Sequence, residues 1–194
     1  MFEKIYEFLK TKKVGIAGAG GLGSNCAMAL ARVGVGNMVI ADFDVIELFN
    51  LNRQYYFWDQ LGNKKVIALK DNLRKVNSKI NLSALNLKLT PELVKEHYAD
   101  CDVIVEAFDK AEEKLWLIET VQTEWPEKPL VIGVGMAGWG GSNDIHVRQE
   151  GNLYICGDEK AEVSDDVPPI APRVGIVANM QANVVLEILL KDFK

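Results

Sequence analysis

The run Gly18-Ala19-Gly20-Gly21-Leu22-Gly23 constrains this chain more than any other feature. It follows a short apolar run at 14–17 and opens an alanine-rich apolar stretch at 22–33 that stops at Gly34. Glycines permit a tight turn and let backbone N–H groups approach a phosphate at a helix N-terminus. A second apolar run follows at 38–41 and ends in Asp42. Asp42 stands 19 residues after Gly23, a spacing at which a carboxylate can hydrogen-bond ribose hydroxyls. The glycine pattern alone is a weak signal, since a tight turn without a ligand would also produce it. Strand, glycines, helix, strand and terminal acid in that order make a nucleotide site the better reading.

The rest of the chain keeps alternating between strand-like and helix-like patterning. Residues 2–12 place Phe2, Ile5, Tyr6, Phe8 and Leu9 at helical spacing. Residues 64–76 read as a helix and 82–89 as a strand of mixed polarity. Thr90 is placed to cap a helix with Pro91 in its first turn. Apolar strands are expected at 103–108 and 130–134, with a long helix at 111–124 between them. The alternation predicts a Rossmann-like α/β fold, a mainly parallel sheet with helices on both faces. After the glycine-rich connector 138–141 the pattern changes. Residues 145–147 and 153–155 read as a short antiparallel strand pair, 157–172 as an acidic, proline-bearing surface loop, and 174–190 as a closing helix. With 194 residues and no repeat or low-complexity tract, the span 1–194 is expected to be a single domain.

Composition narrows the function classes. Hydrophobic residues at 48% and charged residues at 25% are ordinary for a globular protein. A net charge of −5 argues against a nucleic-acid partner. No apolar run approaches the roughly 18 residues of a membrane span, so no membrane association is expected. The start MFEKIYEFLKTKK lacks the uninterrupted apolar stretch of a signal peptide. Cys26, Cys101 and Cys156 are an odd number of cysteines spread far apart, which suggests reduced thiols and a cytoplasmic location.

The glycine turn does not by itself separate NAD from ATP; the next segment does. Asn50-Leu51-Asn52-Arg53-Gln54 and Gly62-Asn63-Lys64-Lys65 follow Asp42 closely. A polyphosphate needs fixed positive charge, which an arginine fork and a lysine supply. Singly, Arg53 or Lys65 would read as a solvated surface charge. With the acid and the glycines they read as a polyphosphate site. Residues 18–65 resemble the ThiF/HesA/MoeB family, bacterial relatives of ubiquitin-activating enzymes, in the turn GAGGLGS, the strand end ADFD, the motif NLNRQ and the lysine after Gly62. The runs VIVEAFD, PLVIGVG and APRVGIVANMQANVVLEILL extend the resemblance over nearly the whole chain in the right order. It is nearest the short ThiF type, the adenylyltransferases of the thiamine sulfur carrier.

The resemblance implies a function: ATP-dependent adenylation of the C-terminal Gly-Gly carboxylate of a ubiquitin-like, ThiS-like sulfur-carrier protein, releasing pyrophosphate, in thiamine biosynthesis. It implies that Gly18, Gly20, Gly21 and Gly23 contact ATP and that Asp42 holds the ribose. Asn50, Arg53, Gln54 and Lys65 would surround the phosphates, and Asp109, at the end of the 103–108 strand, would bind Mg²⁺. Open parallel sheets place ligands at the carboxyl ends of strands in any case. A helix cap ahead of Lys110 is the plainer role for Asp109. Catalysis would rest on Arg53, Lys65 and Asp109, because a carboxylate is already ionised at neutral pH and needs no general base. A homodimer is an expectation from the resemblance alone.

Three departures qualify the resemblance. Larger relatives carry two Cys-x-x-Cys pairs for structural zinc; this chain has none, so no zinc is expected. Many relatives carry a crossover-loop cysteine that links to the carrier. Cys156 is the one cysteine in that neighbourhood, its context does not match, and it reads as a stray thiol, while Cys26 and Cys101 read as packing residues. Longer relatives bring an N-terminal arginine to the neighbouring subunit's site, whereas this chain has no arginine before Arg32 and offers Lys4 as a substitute. His97 and His146 give a histidine-centred mechanism little to build on. Two other classes stay open. An NAD(P)-dependent oxidoreductase would use the same glycines and Asp42 but would want a Tyr-x-x-x-Lys pair; a binding module would hold nucleotide or carrier without turnover. Activation of a modified tRNA base is a further option that the acidic balance disfavours.

Overall fold

The computed structural model describes residues 1–193. Side chains of its central strands alternate between two cores, as a sheet covered on both faces requires. Strand β1 (Lys13–Ala17) sends Val14 and Ile16 into one core and Ala17 into the other. Strand β2 (Asn37–Ala41) divides Met38 and Ile40 from Val39 and Ala41 in the same way. Strands β3 (Asn81–Leu85), β4 (Val103–Glu106) and β5 (Leu130–Gly133) extend the parallel sheet. Strands β6 (His146–Glu150) and β7 (Leu153–Gly157) form the antiparallel pair that the sequence predicts, and β7 adds parallel to β5. The pair therefore completes a seven-stranded sheet of order β3-β2-β1-β4-β5-β7-β6.

Among the described residues α2 (Gly21–Val33), α3 (Lys65–Val76), α4 (Pro91–Tyr98) and α5 (Ala111–Glu124) connect strands, α1 (Phe2–Leu9) precedes the sheet and α6 (Ala171–Leu189) follows it. Helices α2, α3 and α6 bury their apolar faces in one core, with Leu9 of α1 at its margin; α4 and α5 pack in the other. Local signals set several ends. Thr90 Oγ1 accepts the Leu93 N–H at 3.4 Å, and Pro91 occupies the first turn of α4. Gly34 ends α2 in a left-handed conformation (φ 99°). The expected strand at 82–89 stops at Leu85, and the closing helix begins earlier than its apolar pattern, with Pro172 in its first turn.

The strand order positions the site. The chain starts at β1, steps outward to β2 and β3, then returns to the other side of β1 for β4 and β5. Connections diverge at that reversal, and the carboxyl ends of β1 and β4 beside it are where open parallel sheets place ligands.

Leu30 on α2 is fully buried between layers, whereas Leu115 on α5 is 58% exposed. Leu30→Ala should lower unfolding free energy by about 2–5 kcal/mol, and Leu115→Ala should change it by no more than about 0.5 kcal/mol. Urea denaturation of the two variants checks the contrast.

Candidate functional site

The carboxyl ends of β1, β2 and β4 are laced together around the glycine turn. Gly18 N–H donates to the Ala41 carbonyl and Ala107 N–H to the Ala17 carbonyl, each at 2.9 Å. Gly18 has φ of 103°, and a Cβ there would stand 2.7 Å from the Ala107 carbonyl oxygen. A Cβ on Gly23 would stand 1.9 Å from the Gly18 carbonyl oxygen. Only glycine fits this return of the chain, and it brings the start of α2 against the end of β1. No side chain caps α2 at Gly20, which leaves first-turn N–H groups available to an anion.

Asp42 holds the turn from the β2 side. Its Oδ2 accepts the Ala19 N–H at 2.7 Å, and its Oδ1 accepts the Asp44 N–H at 2.8 Å. Burial pushes the Asp42 carboxyl above the ordinary carboxylate range, against the pull of Lys65 and of those two N–H donors. Tyr56 secures the opposite side of the turn by donating its hydroxyl to the Ala19 carbonyl at 2.7 Å. Ser24 Oγ donates to the Gly20 carbonyl at 2.6 Å and accepts the Tyr55 N–H at 3.0 Å. Asn25 Nδ2 donates to the Gly21 and Arg53 carbonyls at 2.7 and 2.8 Å. Sequence reasoning missed Ser24, Asn25 and Tyr56. Ser24 lies inside the motif GAGGLGS, but its partner lies in a distant segment.

Those bonds fasten the segment that carries the expected phosphate groups. Asn50 is buried; its Oδ1 accepts the Glu47 N–H at 2.9 Å, and its carbonyl accepts the N–H groups of Arg53 and Gln54 at 3.2 and 2.9 Å. Its side-chain oxygen is thus engaged inside its own 3-10 turn (Leu48–Asn52), where it presents Arg53 and Gln54. The Arg53 stem passes 3.6 Å from where a Cβ on Gly21 would stand. Its Nη1 donates to the Phe49 carbonyl at 3.2 Å and to Asn52 Oδ1 at 2.8 Å. Burial lowers the Arg53 pKa, and the charge of Asp109 raises it, which places the two side chains within electrostatic reach. Gln54 is buried beside Gly20, and its Oε1 has no hydrogen-bond partner among the described residues. A buried orphan acceptor at such a turn suits a ligand donor.

Lys65 begins α3 and is buried, and its Nζ pairs with Asp44 Oδ2 at 2.7 Å. Asp109 is exposed on the turn after β4. Among the described residues, no group of three or more His, Cys, Asp or Glu side chains is placed to hold a metal ion. Mg²⁺ is satisfied by one carboxylate together with phosphate oxygens and water. Asp109 therefore fits a metal that arrives with a polyphosphate. Cys156 closes β7 inside the core, and burial pushes its thiol up to about 12; burial likewise raises Cys101 to about 12 and Cys26 higher. None is a thiolate at neutral pH.

A second buried pair lies beside the turn. Arg173, in the first turn of α6, donates from Nη2 to Asp158 Oδ2 at 2.5 Å and from Nη1 to the Gly140 carbonyl at 2.7 Å. The next residue, Val174, reaches to 2.8 Å of where a Cβ on Gly21 would stand. The pair therefore ties the loops after β5 and β7 to the helix that packs on the glycine turn. Neither residue was singled out from the sequence, because nothing local announces their contact.

The ThiF family pattern matches residues 1–194, and this chain belongs to that family. It is 31% identical over 201 residues to a molybdopterin-synthase adenylyltransferase of Haemophilus influenzae, covering 95% of this chain and 77% of the relative. It is 28% identical over 209 residues to ubiquitin-like modifier-activating enzyme 5 of Rattus norvegicus, where it spans 96% of its own length but 52% of the relative's. The fold is shared with E. coli tRNA N6-threonylcarbamoyladenosine dehydratase, TcdA, solved in complex with ATP: TM-score 0.87 and 20% identity over 98% of this chain and 90% of that one.

Burial works to raise the Asp158 carboxyl, but the N–H groups of Ala161 and Lys160 and the Arg173 guanidinium outweigh it and hold it below the ordinary range. Its stabilising contribution is complete above the unfolded carboxylate pKa and is lost as pH falls through the depressed folded value. Asp158→Asn should therefore destabilise the protein at neutral pH and by a smaller amount in acid. Urea unfolding at the two pH values checks this, and an equal loss at both would contradict it.

Proposed function

We propose that this chain catalyses ATP-dependent adenylation of the C-terminal carboxylate of a small ubiquitin-like carrier protein. One observation supports the reading most: Asp42 accepts the Ala19 N–H of the glycine turn, the Arg53 stem and Gln54 lie against Gly21 and Gly20, and Lys65 pairs with Asp44 beside them. The names of the relatives, an adenylyltransferase and a ubiquitin-like modifier-activating enzyme, support the same reaction class.

In this reading Gly18, Gly20, Gly21 and Gly23 let backbone N–H groups contact the nucleotide, and Asp42 accepts ribose hydroxyls. Asn50, Arg53, Gln54 and Lys65 surround the phosphates, with the Asn50 carbonyl accepting the N–H groups of Arg53 and Gln54. Arg53 and Lys65 offset charge that develops on the phosphates, and Asp109 would hold Mg²⁺, whose charge would help neutralise the polyphosphate. The carrier carboxylate attacks the α-phosphorus, a carboxyl O–P bond forms, and the bond from that phosphorus to the bridging oxygen breaks. Pyrophosphate leaves with the electron pair, and an acyl-adenylate remains. No proton has to move, so positioning and charge stabilisation supply the catalysis.

Within that class the proposed carrier is the ThiS-like protein of thiamine biosynthesis, supported by the resemblance to the short ThiF type. Residues 1–194 act as one domain in the cytoplasm, a location that the free thiols support. A homodimer is supported by the exposed apolar side chains Leu48, Phe49, Phe57 and Trp58 on the segment that carries Arg53.

Thermal unfolding with Mg·ATP, NAD⁺ or NADP⁺ tests the nucleotide class. A ligand at about 100 times its Kd adds about 2.7 kcal/mol of stability. Stabilisation by Mg·ATP alone, weakened in Arg53→Ala, is the expected result; stabilisation by NAD⁺ alone would overturn the proposal.

A further inference from the structure

Strand β4 ends in a carboxylate that the proposed chemistry does not use. Glu106 is fully buried, and burial raises its carboxyl above the ordinary range although Lys114 of α5 is paired with it. A buried ion pair is a poor source of stability, because desolvation offsets most of the attraction. The geometry gives this pair another use. Glu106 Oε1 accepts the Phe108 N–H at 2.7 Å. Its Oε2 is held by Lys114 Nζ, which also donates to the Gly133 carbonyl at 3.0 Å. Gln181 of α6 donates to the Glu106 carbonyl at 3.0 Å. One carboxylate thus fastens the turn after β4 from inside: the Phe108 N–H holds one of its oxygens and Lys114 the other, while Gln181 holds the backbone of Glu106. Asp109 follows Phe108 directly, and its own carboxylate makes no hydrogen bond among the described residues.

We propose that Glu106, with Lys114 as its counter-ion, is a positioning residue for Asp109: it fixes the turn so that the Asp109 carboxylate meets the metal of a Mg-nucleotide. The inference rests on the role given to Asp109 above. A carboxylate that accepts the N–H two residues ahead restricts the backbone between them. Lys114 prevents its rotation by occupying the second oxygen. Without the pair, Asp109 keeps its charge but samples many orientations.

The test titrates metal against ATP-saturated protein in wild type, Glu106→Gln, Lys114→Met, Lys114→Arg and Asp109→Ala. Two readouts need no turnover: metal-dependent thermal stabilisation, and Mn²⁺ binding followed by electron paramagnetic resonance. Loss of a group that orients a metal ligand should raise the half-saturating metal concentration roughly tenfold in Glu106→Gln and in Lys114→Met. Lys114→Arg, which keeps the pair, should restore the wild-type midpoint. ATP binding without metal should stay at the wild-type level in all three, because the glycine turn is untouched. If Glu106→Gln fails to fold, Lys114→Met carries the same expectation. Variants that melt earlier yet keep the wild-type metal midpoint would show a purely structural pair and overturn the proposal. A shift in Asp109→Ala without one in the Glu106 and Lys114 variants would sink the positioning role alone. A wild-type midpoint in Asp109→Ala would remove the metal role of Asp109 and this inference with it.

Discussion

Everything at the glycine turn depends on how one residue, Ala19, is gripped from both sides. Its N–H is taken by Asp42 and its carbonyl by Tyr56. Those two bonds hold the glycine turn between the ends of β1 and β2, at a place where the Gly23 backbone passes too close to Gly18 for any side chain. The direction of α2 follows from the turn, and α6 and α3 pack on α2. The grip comes at an electrostatic disadvantage, because the Asp42 carboxyl is partly desolvated. The two backbone N–H donors fix the orientation of this carboxylate.

The charged groups beside the glycine turn differ in how far they are enclosed. Lys65 is buried, but Asp44, which neutralises it, is half exposed. Because Lys65 is buried, removing Asp44 would leave an uncompensated charge inside the protein, so the Lys65 ammonium requires an anionic partner there. Arg53 is steadied by local acceptors, Phe49 and Asn52, while the charge of Asp109 acts on it through space. By contrast, Glu106 with Lys114 and Asp158 with Arg173 are enclosed, and their work is to hold loops in place.

What was legible in the sequence was local. The glycine turn, the Asp42 strand end, the Thr90 cap and the span of α5 each depend on residues within a few positions of one another. Arg53 and Lys65 stand out in the sequence on the chemistry of a polyphosphate, and the structure lays Arg53 against Gly21 and pairs Lys65 with Asp44. The rest came from pairings distant in sequence. Nothing in 145–157 announces that β7 will extend the sheet beside β5, since an antiparallel hairpin would show the same alternation. Cys156 read as a loop-side thiol because its burial depends on the helix that covers it. Asn50 Oδ1 serves the backbone of its own turn, a use that the motif spells in the same way as a phosphate contact. Tyr56, Asn25 and Glu106 act through backbone groups, which leave no trace in the choice of partner residue.

The proposed adenylation is tested most directly by isotope exchange between pyrophosphate and ATP in the presence of a ubiquitin-like carrier that ends in Gly-Gly. Labelled ATP should form when protein, Mg·ATP and intact carrier are combined, and should not form when the carrier lacks its terminal glycine. Exchange that proceeds without any carrier, or none at all from protein that binds both ATP and carrier, would contradict adenylation of a carrier carboxylate at this site.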